Sequence, residues 1–428
     1  MLDINEIRRD PEKIRASLLK RMDEVDFAEL LNWDEKRRAL IAETEELKAK
    51  RNKVSGDIPK LKKQGEDVQP LIEEMKTVSN DIKVLDTELD TVNSKIKKYL
   101  DYLPNLPADE VPEGGKENNQ VLRDWGKKPE FAFEPAGHME LVNQLELIDY
   151  DRGVKMGGNG FWLYKGNGAL LEWAMLNYFI QEHRNDGYEF ILPPHILNYE
   201  CGYTAGHFPK FGEDVYHVGK ENEESNQFLL PTAETALINV HRDEIIDEDT
   251  LPLKYFSYTP CYRREAGSYR AQERGMIRGH QFNKVEIFQY TRPENSETVH
   301  QELLEKVERL VQNLGLHHRT TLLAATDASA SMAKTYDIEV WIPSMNEYME
   351  VSSISNARDY QARRGNIRFR RSDSKKNEFI HSLNASGLAT SRIMPAIVEQ
   401  FQQEDGNVIV PEVLRPFFGK DKITPVAR

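Results

Sequence analysis

Apolar residues recur along one stretch of the chain at alternating spacings of four and three, the pattern of a coiled-coil helix. They are Leu71, Met75, Val78, Ile82, Leu85, Leu89, Val92, Ile96, Tyr99 and Leu103. Polar residues fill most positions between them, and neither Pro nor Gly interrupts the stretch. Such a seam restricts this segment to a helix of about 50 Å, at roughly 1.5 Å per residue, that packs along another helix.

The preceding segment supplies the partner helix. Its apolar residues recur every seven positions, at Trp33, Leu40, Leu47, Val54 and Leu61. A short turn at 62–67 separates the two patterns and contains Gly65, a residue suited to a helix C-cap. Short connections join antiparallel neighbours, so we expect a helical hairpin over about 27–103. Pro59 is expected to kink or end the first helix.

Positive charge gathers on this hairpin, although the whole chain is acidic. The 428 residues carry 57 Lys and Arg against 71 Asp and Glu, a net charge of −14. Between positions 48 and 63 a single acid, Asp57, stands among Lys48, Lys50, Arg51, Lys53, Lys60, Lys62 and Lys63. The cluster is either a solvated helix face or a surface that contacts nucleic-acid phosphates, and the hairpin alone favours neither.

The pattern of residues changes after the hairpin. The prolines Pro104 and Pro107 open a polar stretch that extends to Pro129 and is interpreted as a linker. Beyond it helical segments alternate with strand-like ones at 187–192, 253–258, 281–288, 337–342, 348–353 and 367–371. This order predicts an α+β body around a largely antiparallel sheet, and domains at 1–105 and 106–428.

Several classes of protein are excluded. The sequence contains no run of eighteen apolar residues, the length needed to span a bilayer. The N-terminus lacks the apolar core of a secretory signal. The two cysteines, Cys201 and Cys261, are too few for a disulfide framework, which favours a reducing compartment such as the cytoplasm. The eleven histidines lack metal-ligand spacing. The glycine-rich segment 157–160 lacks the Gly-Lys-[Ser/Thr] ending of a phosphate loop and is interpreted as a turn.

Charged residues are concentrated between Phe256 and Phe288, where two strand-like segments flank a long polar loop. Alternate residues of a strand share one face. In the second segment these are Arg278, His280, Phe282, Lys284 and Glu286. Arginine can grip phosphate oxygens, an aromatic ring can stack on a base, and a carboxylate can neutralise an ammonium group. Spacing alone leaves open whether this is a nucleotide site or an exposed, salt-bridged hairpin.

The order of residues in this stretch closely resembles motif 2 of the seryl-tRNA synthetases, a class II family. Residues 259–268 read TPCYRREAGS, and they are followed by Arg278 and by HQFNKVE at 280–286. Other segments similar to the family are 187–196 (motif 1), 231–234 (PTAE, the serine-binding loop), 350–353 (EVSS), 361–364 (QARR), 386–389 (SGLA) with Arg392 (motif 3), and 410–416 (VPEVLRP). The resemblance runs from residue 1 to about 420 and includes the hairpin.

The resemblance implies a class II catalytic domain around an antiparallel sheet, preceded by the helical hairpin, and it implies a role for each matched residue. The residues expected to bind L-serine are Thr232, Ala233, Glu234, Arg263, Glu286, Asn384 and Ser386. Those expected to bind ATP are Arg263, Arg264, Glu265, Arg278, Phe282, Glu350, Val351, Ser352, Ser353 and Arg392. Arg263 and Arg392 are the expected catalytic residues, and Glu350 and Ser353 the expected Mg²⁺ ligands. Thr232 could instead cap a helix that begins at Ala233.

The implied activity is activation of serine with ATP and its transfer to tRNA(Ser), and to tRNA(Sec) where the host has one. The hairpin cations would then contact the long variable arm of the tRNA. Motif 1 would form a homodimer, and no membrane is involved. A relative that loads a carrier protein lacks the hairpin. A catalytically silent tRNA-binding paralogue would be expected to have lost some of Arg263, Glu265, Glu286, Glu350 and Arg392, and all five are present.

Three positions depart from the family pattern. Residues 269–273 read YRAQE where bacterial relatives usually have AGRDT, so contacts to the tRNA acceptor end are expected to differ. Ile354 stands where cysteine is common, and Ser391 stands where glycine is common. Whether the chain is a housekeeping enzyme or a second, inhibitor-resistant copy stays open.

Overall fold

A computed structural model describes residues 1–219, 226–265 and 275–426. The unusual segment 269–273 and the residues 221–224, which read ENEE, therefore lie outside the described residues. The chain divides into two compact units. One consists of Leu2–Pro104, and the other of Asn105–Arg428 together with Met1.

The first unit is helical, as the heptad pattern predicts. Its helices are α1 (Ile4–Arg9), α2 (Pro11–Leu18), α3 (Ala28–Lys63) and α4 (Gln69–Tyr102). The two long ones, α3 and α4, form the hairpin, and three residues of the seam, Met75, Val78 and Ile82, pack against Leu47 and Val54 of α3. The predicted hairpin and its turn are confirmed.

Pro59 does not end α3, which continues for four more residues to Lys63. A proline inside a helix leaves the carbonyl four residues earlier without its usual donor. That residue is Ser55, which is exposed, so water can hydrate its carbonyl group. Of the two outcomes expected at Pro59, a kink or the end of the helix, the second is therefore wrong.

The second unit combines helices with an eight-stranded sheet. The helices are α5 (His138–Gln144), α6 (Tyr150–Gly157), α7 (Asn167–Asn185), α8 (Tyr199–Ala205), α9 (Glu234–Leu237), α10 (Ser296–Asn313), α11 (Tyr360–Arg364), α12 (Thr390–Gln400) and α13 (Arg415–Phe418). The strands are β1 (Gln120–Trp125), β2 (Ile148–Asp149), β3 (Leu163–Tyr164), β4 (Glu189–Phe190), β5 (Ile196–Asn198), β6 (His217–Val218), β7 (Gln227–Leu229), β8 (Ile245–Asp247), β9 (Leu253–Tyr262), β10 (Gln281–Thr291), β11 (His318–Leu322), β12 (Lys334–Ile342), β13 (Glu347–Arg358), β14 (Arg368–Arg370), β15 (Asn377–Phe379), β16 (His381–Ala389), β17 (Val408–Ile409) and β18 (Lys422–Ile423).

The large sheet has the strand order β1-β11-β12-β13-β16-β10-β9-β4. Its neighbours pair antiparallel except β4, which runs parallel to β9 at one edge. The helices α7, α10 and α12 pack on it and bury apolar residues such as Phe179, Val307 and Ile397. The α+β prediction with a largely antiparallel sheet is confirmed.

The stretch interpreted as a linker contains β1, which pairs with β11 at the other edge of the sheet. All six residues of β1 are exposed, so the strand has no alternation of buried and exposed positions from which it could be predicted. Arg123 anchors it by a double hydrogen bond from Nε and a terminal nitrogen to Glu308, at 2.7 and 2.8 Å. The linker interpretation was wrong for residues 120–125.

In the part of the chain that the structure describes, no helix combines the length and the apolar character that crossing a membrane requires.

Candidate active site

The central strands bring the residues of motifs 2 and 3 together. β10 pairs with β16 so that Glu286 lies opposite Ser386, and β13 pairs with β16 so that Ser355 lies opposite Asn384. Residues that are about a hundred positions apart in the chain therefore become neighbours on one sheet. Some of the predicted serine residues (Glu286, Asn384, Ser386) and ATP residues (Phe282, Glu350) meet along these strands.

Glu286 is the centre of a buried polar cluster and is itself 0% exposed. One oxygen of its carboxylate, Oε1, accepts a hydrogen bond from Asn384 Nδ2 at 3.0 Å, and the other, Oε2, accepts one from Thr232 Oγ1 at 3.3 Å. Lys284 forms an ion pair with Oε2, and its Nζ lies 2.7 Å from Thr232 Oγ1. The structure thus places an amino group between the two side chains expected to hold an amino acid.

Lys284 was not assigned a role from the sequence, although it lies in the alternating row with Phe282 and Glu286. Its position two residues from each was the available signal. Burial of an unpaired carboxylate is costly, and the ion pair with Lys284 offsets that cost for Glu286.

Glu234 is a second buried carboxyl group beside Glu286. It accepts hydrogen bonds from Gln361 Nε2 at 2.7 Å and from Asn384 Nδ2 at 3.3 Å. Burial, and next the negative charge of Glu286, raises the pKa of Glu234 to about 7. Its charge therefore changes near neutral pH.

Thr232 contacts both the start of α9 and the buried polar cluster. Its Oγ1 accepts a hydrogen bond from the backbone N–H of Glu234, at the start of α9, at 3.3 Å. The same oxygen contacts Glu286 and Lys284. The neighbouring Ala233 is buried in an apolar cluster, so its side chain belongs to the core of the unit.

Most of the predicted ATP residues line one cavity. Its walls include Arg263, Glu265, Arg278, Phe282, Lys284, Glu350, Val351, Ser386, Ser391 and Arg392. The Arg263 guanidinium lies 5.3 Å from the centre of the Phe282 ring, and Arg278 Nε donates to Glu265 Oε2 at 2.6 Å. Three predicted ATP residues, Arg264, Ser352 and Ser353, lie outside the walls. Arg264 is exposed, and the Ser352 hydroxyl donates to the backbone of Ser386 at 2.6 Å.

Glu350 and Arg392 form the opposite wall. A terminal guanidinium nitrogen of Arg392 lies 3.0 Å from the Glu350 backbone oxygen and 3.2 Å from its carboxylate. Ser353 Oγ donates to the other carboxylate oxygen at 3.2 Å. Burial opposes ionisation of Glu350, but Arg392 and Arg263 outweigh it and hold the pKa below its ordinary value. Glu350 is therefore an anion at neutral pH.

The predicted common face of motif 2 holds only in part. Phe282 and Lys284 line the cavity with Arg278, but His280 precedes β10 and its ring lies against Phe161 and Tyr216, at centroid distances of 5.5 and 6.2 Å. The strand alternation does not extend to it because β10 begins at Gln281.

The hairpin cations fall into two groups. Lys48, Lys50 and Lys60 form ion pairs with Asp86, Glu74 and Asp57, at 3.1, 2.7 and 3.3 Å. For the other four, Arg51, Lys53, Lys62 and Lys63, the described residues provide no acidic partner. The tip of the hairpin thus keeps unneutralised positive charge, which the sequence alone could not establish.

Comparison with known proteins adds independent evidence. Residues 1–107 match the model of the seryl-tRNA synthetase N-terminal domain, and 216–401 match that of the class II tRNA synthetase core domain (G, H, P, S and T). A Clostridium acetobutylicum protein named serine–tRNA ligase 2 is 63% identical over 99% of this chain and 100% of its own length. A serine–tRNA ligase of Thermodesulfovibrio yellowstonii is 44% identical over 99% and 100%.

The fold agrees with these sequences. The crystal structure of seryl-tRNA synthetase from Pyrococcus horikoshii complexed with ATP superimposes with a TM-score of 0.91, at 34% identity, and covers 100% of both chains. Since sequence relatives extend along its whole length and its sheet carries the family's motifs in one cavity, the chain belongs to the seryl-tRNA synthetase family.

Proposed function

We propose that the protein activates L-serine with ATP and transfers it to the 3′ end of tRNA(Ser). The observation that carries this proposal is the buried cluster of Glu286, Thr232 and Asn384 next to the cavity of Phe282 and Arg392. One site suits a small ammonium compound that bears a hydroxyl group, and the adjoining site suits a nucleoside triphosphate. The names of the relatives and the ATP complex of the Pyrococcus horikoshii enzyme support the assignment.

In the proposed complex the serine ammonium group replaces the Lys284 amine on Glu286 and Thr232. Asn384 and Ser386 then receive the serine hydroxyl. Alanine lacks the hydroxyl that these polar groups would bind, and a site built for a hydroxyl can reject such an analogue by about 10⁴–10⁵-fold. Threonine must be excluded by its additional methyl group.

ATP would stack its adenine on Phe282, with Arg392 over the other face and near the γ-phosphate. Glu265 would lie at ATP, and Arg278 would contact the outer phosphates. Arg263 would hold the α-phosphate and the serine carboxylate together. The carboxylate oxygen attacks the α-phosphorus in line, pyrophosphate leaves with the bonding electrons, and seryl-adenylate forms. These arginines contribute positioning and charge neutralisation, so no side-chain nucleophile is needed.

Glu350 and Ser353 fit a magnesium site that is completed by ATP. In the described residues no group of three His, Cys, Asp or Glu could hold a metal ion. Mg²⁺ at triphosphate sites commonly uses one or two carboxylates, and the phosphates and water complete its shell. When bound, Mg²⁺ would neutralise phosphate charge.

The helical unit is the proposed tRNA-binding domain, and the α+β unit the catalytic domain. The unneutralised cations of the hairpin suit the phosphates of a long variable arm, which tRNA(Ser) and tRNA(Sec) share. Recognition of this kind depends on backbone and shape more than on base sequence.

A homodimer through motif 1 is part of the proposal. β4 is an exposed edge strand. Phe190 on this strand and Leu192, two residues later, are exposed, and Leu192 is 68% exposed. On α7, Leu170 and Trp173 are also exposed, at 51% and 52%. Exposed edges and apolar patches are typical of subunit interfaces. The mass of the protein in solution, against 49.5 kDa for one chain, measures this directly.

The cytoplasm is the proposed compartment. Both cysteines, Cys201 and Cys261, are free, and the second is buried. Thiols of this kind persist in a reducing environment.

ATP–pyrophosphate exchange on the purified protein tests the activation step. We expect exchange with serine and none with threonine, alanine or no amino acid. Charging of tRNA(Ser) and tRNA(Sec) transcripts then tests the transfer step. Folded protein without serine-dependent exchange would contradict the proposal, and binding of tRNA by such protein would favour a catalytically silent paralogue.

A further inference from the structure

Glu172 is a buried carboxyl group that lies outside the serine and ATP sites. It stands on α7 and is 3% exposed. A buried carboxyl group is costly unless it is hydrogen-bonded or neutral, so its presence in this helix requires a reason.

One oxygen of Glu172 joins two separate segments of the chain. Oε1 accepts a hydrogen bond from Thr390 Oγ1 at 2.5 Å and another from Asn283 Nδ2 at 2.8 Å. The Thr390 hydroxyl also lies 3.2 Å from the Asn283 backbone oxygen. On its other side, Asn283 Oδ1 accepts a hydrogen bond from Tyr258 at 3.1 Å. The Glu172 carboxyl therefore ties α7 to β10 and to the first residue of α12.

The two tied segments carry the nucleotide residues. Asn283 stands between Phe282 and Lys284 on β10, and strand alternation turns it to the face opposite theirs. Thr390 is the first residue of α12, two positions before Arg392. What holds Asn283 and Thr390 therefore contributes to the separation of Phe282 from Arg392, beside the pairing of Lys284 with Ala389 in the sheet.

We propose that Glu172 is a positioning residue that fixes the distance between Phe282 and Arg392 through Asn283 and Thr390. This role rests on the proposed function, in which those two residues enclose ATP. Displacement of a binding group by about 1 Å can cost on the order of 100-fold in rate, so a fixed spacing has a large catalytic value.

Burial raises the pKa of Glu172 to about 7, although the hydrogen bonds from Thr390 and Asn283 oppose the shift. The titratable groups that face it are Tyr164 on β3 and Tyr258 on β9. Burial and then the Glu172 carboxyl raise the pKa of each. Since the acid form is neutral and Oε1 still accepts, glutamine can reproduce the geometry. Alanine removes both hydrogen bonds.

The test compares Glu172→Gln with Glu172→Ala in ATP–pyrophosphate exchange. We expect the alanine variant to lose about 10-fold or more in kcat/KM for ATP, with a larger rise in KM for ATP than for serine. The glutamine variant should stay within about threefold of the parent protein, because it keeps the acceptor oxygen. A defect in packing alone would not separate the two substrates.

A second variant covers the case in which Glu172→Ala does not fold. Thr390→Val removes one donor and keeps the side-chain shape, and a smaller rise in KM for ATP is expected. The matched control is Glu308→Gln, which changes another buried carboxyl group, on α10. It should leave KM for ATP unchanged.

Two results would overturn the assignment of Glu172: kcat/KM for ATP within threefold of the parent in both Glu172→Ala and Thr390→Val, or an equal loss in Glu172→Gln and Glu172→Ala. Failure of the parent protein to catalyse exchange would instead contradict the proposed function. In that event calorimetric binding of ATP to the same variants still tests the positioning role.

Discussion

The acid Glu286 in the body and the acid Glu74 on the hairpin each pair with a lysine, but in opposite surroundings. Glu286 is fully buried with Lys284, Asn384 and Thr232 around it. Glu74 pairs with Lys50 at 2.7 Å while about half of each side chain remains exposed. In the body neighbouring polar groups compensate for one another's lost hydration, whereas on the hairpin water provides that compensation.

This difference sets how function depends on single residues. Removal of one member of a buried pair leaves the other without compensation, which costs about 3–5 kcal/mol. An exposed pair contributes about 0–1 kcal/mol. We therefore expect a single substitution in a buried ion pair of the body to impair function strongly, and only combined substitutions to impair it on the hairpin.

The largest effect is expected for Glu286→Gln. It removes the charge that would hold the serine ammonium group and leaves Lys284 uncompensated. Serine-dependent exchange should fall by more than about 100-fold in kcat/KM, as expected for loss of a buried charged contact of about 3 kcal/mol. Glu347→Gln, at an exposed carboxylate of β13, is the control. Exchange within about threefold of the parent for Glu286→Gln would show that Glu286 does not bind the substrate.

A smaller effect, confined to tRNA, is expected when Lys60, Lys62 and Lys63 are replaced together by Ala. Each lost phosphate contact reduces the salt dependence of binding, with a slope change of about 0.7–0.9. We expect kcat/KM for tRNA charging to fall by about 10- to 30-fold and exchange to be unaffected.

The matched control for this variant replaces Lys95, Lys97 and Lys98 by Ala. These lysines lie near the C-terminal end of α4, far from the tip of the hairpin. It changes the net charge equally and should reduce charging by less than about threefold. Equal effects of the two triple variants would mean that net charge, not the tip of the hairpin, governs tRNA binding. A parallel loss of exchange would refute the assignment of the hairpin to tRNA.

The two regions also differ in how well the sequence predicts them, because one is an exposed hairpin and the other has a buried polar cluster. The hairpin seam repeats over many turns, so its period identified the helices before any packing was known. Its charge pairs were not predictable, because Lys50 and Glu74 meet only across the two helices. Pro59 does not end α3, because exposure of Ser55 lets the helix continue.

In the body the order of residues indicated the motifs, but not the contacts among them. The ion pair of Lys284 with Glu286 and the hydrogen bonds of Glu172 depend on how β10, α7 and α12 meet. Glu172 lies in a helix with no local sign that its carboxyl group is buried. The edge strand β1 was missed because a fully exposed strand lacks the alternation that identifies strands.

A moderate effect of pH is expected on serine binding. Because the pKa of Glu234 is raised to about 7, its carboxyl group is mostly neutral at pH 6 and mostly ionised at pH 8. The ionised form adds attraction for the serine ammonium group, so KM for serine should fall as pH rises through this range. A gain of about 1 kcal/mol corresponds to about fivefold.

Glu234→Gln should remove this dependence between pH 6 and 8, with a KM at pH 8 like that of the parent at pH 6. Steady-state exchange at several pH values measures the KM for serine of the parent and of the variant. A parent KM that is constant from pH 6 to 8, or a variant with the same slope as the parent, would show that Glu234 does not act on the ammonium group.

The smallest effect, and the most direct contrast with Glu286, is expected for Glu74→Ala. Loss of this acid frees Lys50 and adds one positive charge to the hairpin. The dissociation constant for tRNA should therefore fall by about twofold at low salt, and the gain should vanish at high salt, where charges are screened over about 3 Å at 1 M. The melting temperature should not change, since the pair is exposed. Glu88→Ala frees Lys36 farther from the tip and should leave tRNA affinity as it is. Weaker binding by Glu74→Ala would mean that the Lys50–Glu74 pair itself shapes the tRNA surface, and that the hairpin, like the body, depends on particular pairs.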